Sequence, residues 1–278
     1  MKKTTSYFDH HVHLFIDGRA CDSVEPVATI IASLSSKGIS GCSDMGSKNA
    51  LGLMMKRSEV LFFSAGKALC KKGVYGDFLG LEVDGIEDIE RAVRWNVHRG
   101  ADFIKVINSG IVTGNPNRPV SEGGFSREEL RVIVQEAANF GKVVRCHANS
   151  EVSIKDAVLS GVSTIEHGFF ISEECLYLMA ERGVIWIPTI YALKAYSLSV
   201  TDTDKRRYLD SIINAHMQSV YRGNRIGVTI KAGSDSGARG IPHGEAFIEE
   251  LRLLRSSGLT VNDVLRASTM DGKEEDPQ

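Results

Sequence analysis

The sequence predicts an α/β fold closed as a (β/α)8 barrel. Short apolar runs alternate with stretches of helical periodicity along 278 residues. Eight such runs can be counted, each followed by a helical pattern or a long connection. Histidines and acids cluster at the carboxyl ends of these runs. Strands that alternate with helices pair in parallel, and eight units of this kind close into a barrel of roughly 250 residues with its site at the carboxyl ends.

The first strand is Phe8 to Leu14. Side chains alternate faces along a strand, so Asp9, His11 and His13 share one face and His10 and Val12 the other. Residues 24–37 have helical spacing and stop at Gly38. A strand over 39–43 leads to Asp44, read as a helix cap, and a helix is expected over 47–56. After the strand 60–64, residues 65–85 are rich in glycine and too long for an ordinary connection, so they form a candidate binding loop. Residues 86–99 read as helix, and the strand 102–107 carries a cation, Lys105, among apolar neighbours. Taken alone, such a lysine packs its stem in the barrel and sends its head to water.

A loop with glycine and proline spans 108–124. Ser126 and Glu129 then form a capping-box pattern for a helix that stops at Gly141. The strand 143–147 ends at His147, and the strand 163–167 ends at His167, each leading into a helix. The strand 184–187 ends at Pro188-Thr189. A polar loop and a helix over 202–225 follow, then the strand 228–232 and Gly233-Ser234-Asp235-Ser236-Gly237. Helices over 244–256 and 260–268 complete one barrel domain over 1–270. Residues 271–278 are polar and expected to be a disordered tail.

Net charge is −2, so nothing points to nucleic acid or an anionic lipid surface. The N-terminus lacks the apolar core of a signal peptide, and no apolar run approaches the roughly 20 residues of a membrane span. Five cysteines are scattered without a C-x-x-C pair, which fits a reduced, cytoplasmic protein. Cys42 and Cys146 read as small core residues.

Placed on the barrel, His11, His13, Lys105, His147, His167 and Asp235 converge at one mouth. Paired imidazoles on one face can bind a divalent ion. Tyr75, Tyr191 and Arg239 lie in loops at the same face and are candidate substrate-binding residues, Arg239 for a carboxylate. Glu166 reads as a core ion-pairing residue. His243 reads as a helix-start or supporting residue, and His98 and His216 as surface or packing residues.

The segments D-H-H-V-H at 9–13, F-I-K-V at 103–106, C-H-A at 146–148, I-E-H-G at 165–168 and A-G-S-D-S-G at 232–237 resemble the amidohydrolase superfamily from Asp9 to about Thr269. The later P-H-G-E and L-T-V-N-D-V-L-R-A-S-T segments are similar to the branch containing imidazolonepropionase and metal-dependent Xaa-Pro or Xaa-Arg dipeptidases. The resemblance implies two divalent metal ions, zinc first and manganese, cobalt or iron as alternatives. His11, His13 and Asp235 would hold the buried ion, His147 and His167 the other. Lys105 would carry CO2 as a carbamate bridging both. A metal-bridging hydroxide would then attack the amide of a dipeptide, N-acyl amino acid or cyclic amide, with Asp235 shuttling the proton.

A lactone or phosphotriester is the alternative substrate on the same site, and a catalytically silent metal-binding or interaction protein is the alternative of another class. Enzymes of that branch usually carry a flanking β-sandwich, whereas only seven residues precede Phe8 and the sequence ends soon after Thr269, so the expectation is either a barrel-only member or a shortened chain. A small-molecule substrate is expected, and a homo-oligomer is compatible with the sequence.

Overall fold

The computed structural model describes residues 6–55 and 58–270. The expected tail at 271–278 lies outside the described residues. Strand β1 (Tyr7–Val12) opens the chain and is followed by a small hairpin, β2 (Phe15–Ile16) and β3 (Arg19–Ala20). Helix α1 (Val27–Ser36), β4 (Ile39–Asp44) and β5 (Leu61–Ser64) come next. Strands β6 (Ala68–Lys71) and β7 (Gly80–Val83) precede α2 (Ile86–His98). Then β8 (Ile104–Ile107), α3 (Arg127–Ala138), β9 (Val144–Ala148), α4 (Glu151–Ser160), β10 (Thr164–His167), α5 (Glu173–Arg182) and β11 (Ile185–Ile187) alternate. The chain closes with α6 (Ile190–Ser199), α7 (Thr203–Ile226), α8 (Glu245–Ser256) and α9 (Val261–Ala267).

The fold is a (β/α)8 barrel. β4 pairs in parallel with β1 and β5, and the run β8, β9, β10, β11 is likewise parallel. The Asp102 amide donates to Ser64 O at 2.9 Å and joins the two halves on one side. On the other side, residues 229–232 form the last stave. Trp186 N donates to Thr229 O and Lys231 N to Trp186 O, both at 2.9 Å, while His10 N donates to Ala232 O at 3.0 Å. Gly233 sits where a Cβ would come within 2.6 Å of His11 Cβ, so its missing side chain lets this stave approach β1. An apolar layer that includes Ile30, Leu34, Ile89, Val93, Leu130 and Ile133 is buried between helices and staves.

Three expectations are corrected. The helix expected over 47–56 is a single 3-10 turn at Leu51–Met54. Ala50 holds φ 50, which no helix interior accommodates, and a Cβ at Gly52 would lie 2.1 Å from Asp44 Oδ2. Asp44 therefore caps no α-helix. It is buried, accepts from Ser64 Oγ at 2.8 Å and props this turn. The segment 65–85, expected as one long loop, holds the short parallel pair β6 and β7, with β6 also paired to β8, while its Tyr75 and Leu79 do face a cavity as a binding segment would. The polar loop expected after β11 is helix α6, capped from a distance by Glu250 on α8, whose carboxyl oxygens accept from Ile190 N at 3.0 Å and Tyr191 N at 2.7 Å. No helix among the described residues is long and apolar enough to cross a membrane.

Candidate metal centre

The parallel register brings the strand ends together. β1 places His11 and His13 inward, with ring centroids 5.4 Å apart. β10 ends at His167, whose ring lies 5.1 Å from that of His11 and 4.4 Å from that of His147 at the end of β9. Asp235 follows the last stave. His167 and Asp235 both hold left-handed backbone, φ 65 and φ 55, a conformation that costs a side-chain-bearing residue of order 1–3 kcal/mol and turns these side chains across the barrel mouth. Donor atoms of His11, His167 and Asp235 all lie within 4.8 Å of one another. The tightest cluster thus draws one histidine from each of the two expected ligand groups.

The surroundings orient the imidazoles. Glu166 Oε2 accepts from His11 Nδ1 at 2.7 Å, which turns Nε2 toward Asp235. That Nε2 lies 3.3 Å from Asp235 Oδ1 without a hydrogen bond and is buried. His13 Nδ1 lies 3.4 Å from Gly46 O, and its Nε2 lies 3.4 Å from Asp235 Oδ1. His167 Nδ1 is hydrogen bonded to Thr189 Oγ1 at 2.7 Å. In all three rings Nδ1 has an outer partner, and in His11 and His13 Nε2 faces Asp235, an arrangement by which outer partners orient imidazoles toward a common centre. His147 differs: its Nε2 lies 3.1 Å from Gly110 O, which leaves Nδ1.

Lys105 is 1% exposed, and its Nζ has no hydrogen-bond partner among the described residues. Burial pushes its pKa down to about 8, against the attraction of Glu166. Burial likewise holds His147 at about 3 and His167 well below the usual histidine range, so both are neutral donors near pH 7. For Asp235, burial acts upward, but the facing His11 prevails and holds the carboxyl well below its usual range. Glu166 is ionised in the same way. Burial opposes this, and Arg145, Lys105 and His11 outweigh it. Arg145 Nε donates to Glu166 Oε1 at 2.8 Å, so Glu166 is both the core ion-pairing residue expected and the anchor of His11.

Two buried polar atoms without a hydrogen-bond partner, His11 Nε2 and Lys105 Nζ, border the same small volume as the Asp235 carboxylate. Burial acts downward on the pKa of His11, but Glu166 and Asp235 outweigh it and raise the value, whereas His147 and His167 are neutral. These imidazoles with an ionised acid and a buried amine are a donor set that suits divalent cations. The residues present fit such ions.

A cavity of about 280 Å³ opens above this cluster. Tyr75 lines it, its ring centroid 5.7 Å from that of His147. Tyr191 and Arg239 do not. Tyr191 begins α6 with its amide on Glu250, and the lining residues of that helix are Ala192, Leu193 and Tyr196. Arg239 is exposed and stands against Gly18 beside the hairpin. His243 supports the site from behind, bridging Ser236 Oγ at 2.8 Å and Phe15 O at 3.0 Å. His216 is a packing residue, its ring 4.1 Å from that of Phe169. Thr189 was invisible in the sequence as a partner of His167, because a hydroxyl after an apolar strand carries no local signal of what it will meet.

The model of a family described as "Amidohydrolase family" matches residues 4–274. Ochratoxinase from Aspergillus niger is 31% identical over 189 residues, covering 67% of this chain and 38% of that protein. The chain therefore spans well under half the length of this curated relative. Among solved structures, an amidohydrolase is 28% identical with a TM-score of 0.75, covering 95% of this chain and 72% of the other. A Xaa-Pro dipeptidase with bound methionine shares the fold, with a TM-score of 0.78 at 23% identity and coverage of 95% and 73%.

Proposed function

The chain belongs to the amidohydrolase family, and we propose that this barrel hydrolyses the amide bond of a small molecule with the aid of two divalent metal ions. The observation that carries this reading is the pair of buried nitrogens without hydrogen bonds, His11 Nε2 and Lys105 Nζ, beside an ionised Asp235. His11, His13 and Asp235 would hold one ion and His147 and His167 the other, with zinc favoured by the imidazole-rich donor set. Lys105 in its neutral form would add CO2 to Nζ and release one proton, giving an anion between the two cations. A pKa near 8 supplies the neutral amine needed for that addition. When bound, such ions polarise a carbonyl and make water acidic near neutral pH.

The remaining steps belong to the side chains. Asp235 takes a proton from the attacking water and returns it to the leaving nitrogen, so that water adds across the C–N bond and an acid and an amine depart. Glu166 and Thr189 hold the His11 and His167 rings in place through Nδ1. The buried, free thiols of Cys21, Cys42, Cys70, Cys146 and Cys175 suit a reducing, cytoplasmic location. A hydrolysis screen on metal-loaded protein tests the reading. Turnover of at least one amide class, abolished by chelation, is expected. Turnover of lactones or phosphotriesters alone, or none with metal bound, would overturn it.

A further inference from the structure

The cavity is divided by chemistry. Its floor is polar, formed by the histidines, Lys105 and Asp235. Its outer wall is apolar: Tyr75 and Leu79 from the segment between β6 and β7, Ile111 and Val112 after β8, and Leu193 and Tyr196 from α6. Three separate parts of the chain thus supply the same kind of surface. At the rim, Ile111 and Tyr196 stay 42% and 38% exposed, and Phe78 stays 41% exposed with its ring 5.4 Å from that of Tyr75. Large apolar side chains held at the mouth of a polar site lose hydration free energy unless something apolar covers them.

Building on the amide-hydrolase reading, we infer that this outer wall binds an uncharged aromatic or branched aliphatic group of the substrate, and that Ile111, Leu193 and Tyr196 set the preference. The charged side chains lining the cavity among the described residues, Lys105 and Asp235, both belong to its floor. A carboxylate placed against the outer wall would lose water and meet no partner there, a cost well above that of an apolar group. Outside the lining, Lys205 is a cation in contact with the wall, its Nζ over the Tyr196 ring at 5.3 Å from the centroid.

The test uses the full, metal-loaded chain and matched amides: N-benzoyl-leucinamide against N-benzoyl-leucine, and N-benzoyl against N-acetyl compounds. The neutral member and the benzoyl member should each show kcat/KM about tenfold or more above its counterpart, the scale on which an apolar pocket discriminates. Tyr196→Ala should narrow the benzoyl-over-acetyl ratio. Ile111→Lys, a change at an exposed position, should raise kcat/KM for the carboxylate and lower it for the neutral amide. Equal or higher kcat/KM for the carboxylate in the wild type overturns the inference, and its loss in Lys205→Ala would assign the preference to that lysine. If no amide is turned over, the hydrolase reading fails, and titration of metal-free protein with N-benzoyl-leucinamide still decides. Binding weakened by Tyr196→Ala upholds the apolar wall, and binding no tighter than that of N-benzoyl-leucine ends it.

Discussion

Lys105 shows how burial converts an ordinary residue into a reactive one. A lysine in an apolar strand keeps its charge if its head reaches water, but here the head ends inside the barrel without a hydrogen bond. As a packing residue only, it could be cut back with a modest loss of stability and no effect on metal. As the anionic bridge of the proposed site, it would be indispensable, because two cations cannot share so small a space without an anion between them. Lys105→Ala should therefore lose at least one metal ion and nearly all activity. Formate, acetate or propionate should restore part of that activity, since a short carboxylate fits the space vacated and replaces the two oxygens. Kinetics with and without added carboxylate, together with metal analysis, check this. Asp235→Asn keeps the shape at φ 55 but removes the base, so turnover at saturating substrate should fall by roughly 10²-fold or more. Near-normal turnover would move the proton transfer to another group.

Helix α6 shows where local sequence stops being informative. The eight staves were legible because their apolar runs are short and bounded by glycines and turns. The amphipathic helices α2 and α3 were legible from their spacing, and α3 from its capping box. Helix α6 has no side-chain cap of its own, and Thr189 before it is left-handed at φ 46. Its first amides are satisfied by Glu250, about sixty residues onward in the chain, so no window of local sequence contains the signal. The same gap hid part of the site. Thr189 and the wall residues Leu193 and Tyr196 sit on or beside this helix, whereas Tyr191, chosen for its loop position, does not reach the cavity.

Glu250 also gives the element a pH signature. Burial, the larger effect, pushes its pKa up from 4.5 to about 8, while its two amide donors pull the other way. A carboxyl group that binds its proton more tightly when folded makes stability fall as pH rises from the unfolded pKa through the folded one. Glu250→Gln presents an N–H to an N–H and should be less stable throughout. The gap to wild type should narrow between pH 5 and pH 8 in urea unfolding, because only the wild type loses this contribution. A constant gap would show that Glu250 does not titrate in that range.

At the scale of the whole molecule, the barrel serves to gather six side chains that are far apart in sequence. His11 lies on the first stave and Asp235 just after the last, and they meet only because the sheet closes, with Asp235 N donating to His11 O at 2.8 Å. The candidate cluster was legible because histidines and acids are few and fell at strand ends in order. The substrate wall was not, because apolar residues at loop and helix positions look alike whether they face a core or a ligand. The central claim is that this assembly holds two divalent ions. The direct measurement is the metal content of folded protein after loading with zinc or manganese and removal of the excess, for the wild type beside His11→Ala and His147→Ala. The account predicts close to two ions per chain in the wild type, with occupancy reduced by each substitution at a different site. A well-folded wild-type chain that retains no divalent metal would contradict it.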